Sequence, residues 1–250
     1  MWALRKRLIY ILGFLAVLAV LFALPIYRSL NKAPTCFDEK QNGAELGIDC
    51  GGACEKICQS ELDEPIILWS RSVPVRDGLY NFLAMIENPN VGAGALDVPY
   101  VFKLFDDENI LIYERKGRVD ISPQARFPIF EGGIVTAQRK PARTFFEFIG
   151  PITWLGKTKS ASDLIVKSKE LIENGAPRAE AVILNRGSVS LRNIEAFVIV
   201  YDDNGNAIAG SKTFIESVAP DEEREITFTW PEPFQGQARR VEIILKPSAR

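Results

Sequence analysis

The chain has 250 residues, 47% of them hydrophobic and 25% charged, with a formal net charge of −2. That is room for one or two domains, and the near-neutral balance gives no electrostatic reason to expect a nucleic-acid partner. It contains no histidine, which removes the commonest general base and the commonest metal ligand.

From Leu8 to Ile26 the sequence reads LIYILGFLAVLAVLFALPI, without a charge. A helix of that length covers about 28 Å, close to the hydrocarbon thickness of a bilayer. Arg5, Lys6 and Arg7 precede it directly, and only Arg28 and Lys32 follow closely. The positive-inside bias then leaves residues 1–7 as a cytoplasmic tail and carries the remainder across the membrane. A cleaved signal peptide has a shorter apolar core, about 7–15 residues, and a small-x-small cleavage site. Here the run ends in Ala23-Leu24-Pro25-Ile26-Tyr27, a poor site. The expectation is a single-pass protein of the cell membrane, with the lipid bilayer as partner of residues 8–26 and the C-terminal domains extracytoplasmic.

All four cysteines, Cys36, Cys50, Cys54 and Cys58, fall within residues 27–61. Outside the cytoplasm they read as two disulfides with three pairings open. Such a stalk is too short to bury a core and needs crosslinks. Its C-x13-C-x3-C-x3-C spacing lacks the C-x2-C knuckles of common zinc sites. Counting Asp38 as position 1, Asn42, Gly43 and Asp49 stand where a calcium loop has an oxygen ligand, its turn glycine and its last carboxylate. Lys40 stands at a ligand position it cannot serve, and Glu45 offers a further carboxylate. Asp38, Asn42, Glu45 and Asp49 are therefore a candidate calcium set, an acidic disulfide-bound turn is the simpler reading, and no other cofactor is expected. The segment CFDEKQNGAELGIDCGGACEKIC resembles a cysteine-rich DCGGxC module that recurs in bacterial surface proteins. The resemblance covers residues 36–58 and implies extracellular placement.

The remainder of the chain repeats itself. Asn88 corresponds to Asn185, VPYVFKLFDD to IEAFVIVYDD, Pro123 to Pro220, PARTFFEF to QARRVEII and IILWSRS to DLIVKSK, in the same order and at offsets of 96 or 97. This predicts two homologous domains, residues 62–155 and 156–250. In the first copy Val98, Tyr100, Phe102 and Leu104 alternate along a strand, as Ile194, Ala196, Val198 and Val200 do in the second. Ile226, Phe228 and Trp230 alternate with Glu225, Thr227 and Thr229 in a further strand, and Asp203-Asn204-Gly205-Asn206 is a hairpin signal. Several short strands within about 90 residues predict an immunoglobulin-like sandwich. The fold class is thus all-β: two tandem immunoglobulin-like β-sandwich domains after a transmembrane helix and a disulfide-bonded linker. The stretch Phe102-Lys103-Leu104-Phe105-Asp106 resembles the F-x-L-[FY]-D signature of FxLyD-type envelope domains. Its equivalent, Val198-Ile199-Val200-Tyr201-Asp202, departs from the pattern at both Phe and Leu. The resemblance implies a sandwich outside the membrane and brings no catalytic residues.

Asp106-Asp107 and Asp202-Asp203 are adjacent carboxylates at matching positions. Their occurrence in both copies favours strand closure and turn formation over catalysis. Arg139, Lys140 and Arg143 beside Phe145, Phe146 and Phe148 read as a solvated loop leading into a core strand. Trp154, in the connection between the copies, is expected to pack between the sandwiches. No nucleophile, base and oxyanion donor can be assembled, so no enzyme is expected. The expected role is extracytoplasmic display or adhesion towards an envelope protein or glycan, with a structural spacer as the alternative.

Overall fold

The computed structural model describes residues 2–30, 34–136, 139–156 and 163–247; Lys32 of the basic flank lies outside them. Two compact units emerge, Met1–Cys54 and Glu55–Arg250.

In the first unit, helix α1 (Trp2–Leu30) extends the predicted apolar run by several residues at each end, and Pro25 lies inside its last turns. Its window Arg5–Ala23 is 0% buried and is long and apolar enough to cross a membrane. The cysteine segment follows as turns.

The second unit holds thirteen described strands: β1 (Ile66–Arg76), β2 (Leu79–Glu87), β3 (Ala93–Phe105), β4 (Leu111–Ile121), β5 (Arg126–Val135), β6 (Arg143–Phe148), β7 (Leu155–Gly156), β8 (Leu164–Ile172), β9 (Arg178–Asn185), β10 (Leu191–Tyr201), β11 (Ala207–Val218), β12 (Glu223–Thr229) and β13 (Arg240–Pro247). They form sheets β1-β2-β5 and β4-β3-β6 from the first copy, and β8-β9-β12 and β11-β10-β13 from the second. Strand for strand the two orders match. The backbone repeats as well: positive φ occurs at Asp97 and Asn193, at Asn109 and Gly205, and at Gln124 and Asp221, three pairs 96 or 97 residues apart.

Each copy is a sandwich. Phe82, Ala84 and Ile86 of β2 meet Tyr100, Phe102 and Leu104 of β3 in one core, and Ala179, Ala181 and Ile183 of β9 meet Ile194, Ala196, Val198 and Val200 of β10 in the other. The alternation predicted for β3, β10 and β12 holds, with Ile226, Phe228 and Trp230 inward. A third cluster unites the copies: Leu83 and Met85 of β2 and Val73 of β1 pack on Ile199 and Tyr201 of β10 and Ala207 of β11. The outer face of β1-β2-β5 therefore lies on the outer face of β11-β10-β13, and the sandwiches stack back to back as four layers. Arg71 Nη2 donates to Asn206 Oδ1 at 2.7 Å, and Asn81 Nδ2 donates to the Gly210 carbonyl at 3.2 Å across this interface.

Two boundaries differ from the sequence expectation. Residues 55–62 belong to the first sandwich: Lys56 pairs with Leu155, the Ile57 amide donates to the Trp154 carbonyl, and Ile57 and Leu62 pack on its core. Trp154 does not fill the space between sandwiches. It is 2% exposed within the first core, because β7 pairs with the start of β3 and carries its neighbour inward. Leu155–Gly156 thus closes the first copy, and residues 157–162 of the connection lie outside the described residues.

Candidate functional site

The four cysteines of the stalk are all disulfide-bonded, and Cys36 is joined to Cys54. Cys36, Glu45 and Cys54 come together, but the two sulfurs are bonded to each other and offer no thiolate to a metal. The DCGG glycines have a steric reason. A Cβ on Gly52, whose φ is 59°, would stand 1.8 Å from the Ala44 carbonyl oxygen, so only glycine fits.

Asp38, Asn42, Glu45 and Asp49 are brought into one turn. Asp49 accepts the Asp38 and Glu39 amides through its two carboxylate oxygens at 3.0 and 2.9 Å. Asp38 accepts the Lys40 amide and the Asn42 side-chain amide at 3.1 and 2.9 Å. Glu45 accepts the Asn42 amide at 3.1 Å. The hydrogen bond from Asn42, ahead of the other causes, holds the Asp38 carboxyl below its usual range. These oxygens order the backbone of the turn, which is how short Asx-rich segments replace a core.

The paired landmarks of the repeat are structural hinges of each sandwich. Asn88 Nδ2 donates to the carbonyls of Ala93 and Ser122, both at 2.8 Å, and Oδ1 accepts the Asn90 amide at 3.0 Å. Asn185 donates to Val189 and Val218 at 2.9 and 3.0 Å and accepts the Gly187 amide at 3.0 Å. Asp106 accepts the Ile110 amide at 2.8 Å and pairs with Arg139. Asp202 accepts the Asn204 and Asn206 amides at 2.9 and 2.7 Å. The first Asp of each pair is a turn cap, as the duplication implied, while Asp203 pairs with Arg239.

Backbone amides are the first cause holding the carboxyls of Asp106, Asp202 and Glu222 below their usual values. A depressed folded value means stability that is present above the ordinary carboxyl range and lost as acid titrates through the lower folded one. The thermal midpoint is expected to hold from neutrality to about pH 4 and to fall steadily below it. Calorimetry across that range checks this; a midpoint unchanged at about pH 2.5 would contradict the capping roles.

Sequence reasoning missed a cleft where the two copies meet. Its walls are β3 and β4 of the first copy and β10, β11 and β13 of the second, and it encloses about 340 Å³. An adjoining recess of about 210 Å³ shares Arg118, Val119, Glu195 and Lys246 with it and reaches Tyr100 and Phe197. Asp97 and Asn193, the equivalent left-handed residues, both line the cleft. Asp97 sits where the β3–β4 register slips, and a bulge of this kind re-aims side chains at a sheet rim. Asp97 pairs with Arg118 at 2.7 Å and its amide donates to Asp120 at 2.8 Å. Glu195 pairs with Lys212 at 3.0 Å. Phe214, Glu195 and Lys246 are cross-strand neighbours in one row of the sheet; Phe214 is 61% exposed. Lys246 lies over the Phe127 ring at 5.1 Å. Desolvation holds its ammonium below the ordinary lysine range, with Glu195 and Asp120 pulling the other way.

No protein-family model matches the chain, and no curated protein matches it. Among solved structures it is similar to the crystal structure of red sea bream transglutaminase, at 9% identity and a TM-score of 0.26, over 74% of this chain and 29% of that one. The chain spans less than a third of that enzyme's length, and a likeness at this score carries no functional argument.

Proposed function

We propose that the chain is a single-pass membrane protein, N-terminus in the cytoplasm, that displays a double immunoglobulin-like sandwich of FxLyD type outside the cell membrane and binds an envelope protein or glycan there. The cleft shared by the two copies carries this reading. It joins an open aromatic ring to charged and amide side chains of both signs, and concave sites with few convergent polar groups are where ligands bind. The exposed apolar helix behind Arg5, Lys6 and Arg7 supports the anchor, and the oxidised cysteines support an oxidising exterior. Binding rather than catalysis fits a chain without histidine.

A structural spacer is the second reading, favoured by the apolar contact that locks the sandwiches together. Intact cells test the topology. Protease added outside is expected to cut the region beyond β1 while sparing residues 1–7, and the mature protein is expected to retain residues 8–26. A chain that begins after Tyr27 would overturn the anchor. Crosslinking on intact envelopes separates the two roles: a binder loses its partner on Phe214→Ala, whereas a spacer keeps its neighbours.

A further inference from the structure

We infer that the cleft between the sandwiches binds an acidic saccharide, with Lys246 taking the sugar carboxylate and Phe214 stacking on a neighbouring ring. This deepens the proposed role and rests on it. Three observations carry the inference.

The first is charge. Arg118 is paired with Asp97 and Lys212 with Glu195. Among the described residues Lys246 forms no ion pair; its ammonium lies over the Phe127 ring at 5.1 Å and feels Glu195 and Asp120 from beyond ion-pair distance. A half-buried ammonium with no direct ion pair leaves a place where an anion can complete the site. The lowered basicity of the amine reflects the same desolvation.

The second is spacing. Phe214 and Lys246 flank Glu195 on consecutive strands. Strands lie about 4.8 Å apart, so the ring and the ammonium stem are about 10 Å apart along one row. Two linked pyranose units cover that span, one over the ring and one carrying its carboxylate to the amine. An aromatic face open to solvent suits the apolar face of a sugar.

The third is the lining. Asp97, Asp120, Asn193, Arg118 and Ser122 present acceptors and donors around the same volume. Hydroxyl groups, each both donor and acceptor, satisfy such a mixture. An acidic peptide would use the ammonium but would leave most acceptors facing its own carbonyls.

The full chain in lipid nanodiscs, titrated with digalacturonic acid and observed by calorimetry, tests the inference. Saturable binding is expected, at least about tenfold tighter than for the neutral disaccharide maltose. Lys246→Met is expected to abolish that preference, and Phe214→Ala to weaken binding of both sugars about fivefold. Phe214 is solvent-exposed, so its variant keeps the fold and remains decisive should Lys246→Met unfold. Absence of saturable binding, equal affinity for maltose, or an unchanged Phe214→Ala variant would overturn the inference. Tighter binding of a poly-glutamate peptide than of the sugar would also overturn it. Crosslinking to a protein partner on intact envelopes would at the same time leave the display role standing, so the two failures are distinguishable.

Discussion

Leu83→Asp is expected to uncouple the sandwiches. Leu83 is 1% exposed and packs with Met85 on Ile199 and Tyr201. Losing the leucine from such a contact costs about 2–5 kcal/mol, and an unpaired carboxylate in its place adds several more. The wild-type unit should unfold in one transition, and the variant in two, the earlier far below the wild-type midpoint. A companion cycle tests the geometry. A Cβ on Gly210 would stand 2.7 Å from Leu83 Cδ2, so Gly210→Val should cost about 1–3 kcal/mol by overpacking. Combined with Leu83→Ala it should cost less than the sum of the two. Additive losses would show that the two strands do not share this contact.

Asn185→Ala is expected to lower stability by about 3–5 kcal/mol. Two carbonyls and one amide lose the Asn185 side chain, the Val218 bond fully buried and the other two partly so, and each orphan shielded from water costs about 1–3 kcal/mol. The midpoint should drop by about 10 °C. Asn88→Ala should do the same in the first sandwich. Asn185→Asp separates the donors from the acceptor. A carboxylate there faces two carbonyls, so its folded pKa should rise above the unfolded value. The variant should be weakest at neutral pH and recover as pH falls through the raised value, the reverse of the wild-type turn caps. Calorimetry of the four proteins over pH decides, and an Asn185→Ala variant with the wild-type midpoint would end the argument.

Much of the fold was legible because the repeat fixes which residues face inward. Tyr100, Phe102 and Leu104 alternate, and they are core; Asp202 and Asn206 announce a hairpin, and they close one. The stacking of the copies was harder to read, although its trace is present. Phe82-Leu83-Ala84-Met85-Ile86 and Phe197-Val198-Ile199-Val200-Tyr201 are unbroken apolar runs, and both are buried residue after residue. A strand covered on both faces loses its alternation; the period-2 reading assigned one face and left the other undecided. Trp154 was misplaced for a related reason. The pairing that carries it inward, β7 on β3, involves two residues, too few to show a period. The cleft has no signature at all, since Phe214 and Lys246 meet Arg118 and Asp97 only through tertiary packing across about 130 residues of sequence.

The back-to-back contact uses different sheets of the two copies, one from each side of the repeat. Such a heterologous contact leaves one matching face free at either end, and a repeated heterologous contact builds an open filament unless something stops it. The stop is written at the equivalent positions. Where β2 places Leu83 in the contact, β9 places the exposed Glu180 on its free face, paired with Arg178. Where β10 places Ile199, β3 places Lys103 on its free face, paired with Glu147. A further sandwich arriving at either end would have to strip water from these ion pairs without an apolar partner to receive it. Divergence at two pairs of outward positions thus limits a self-complementary module to a stack of two.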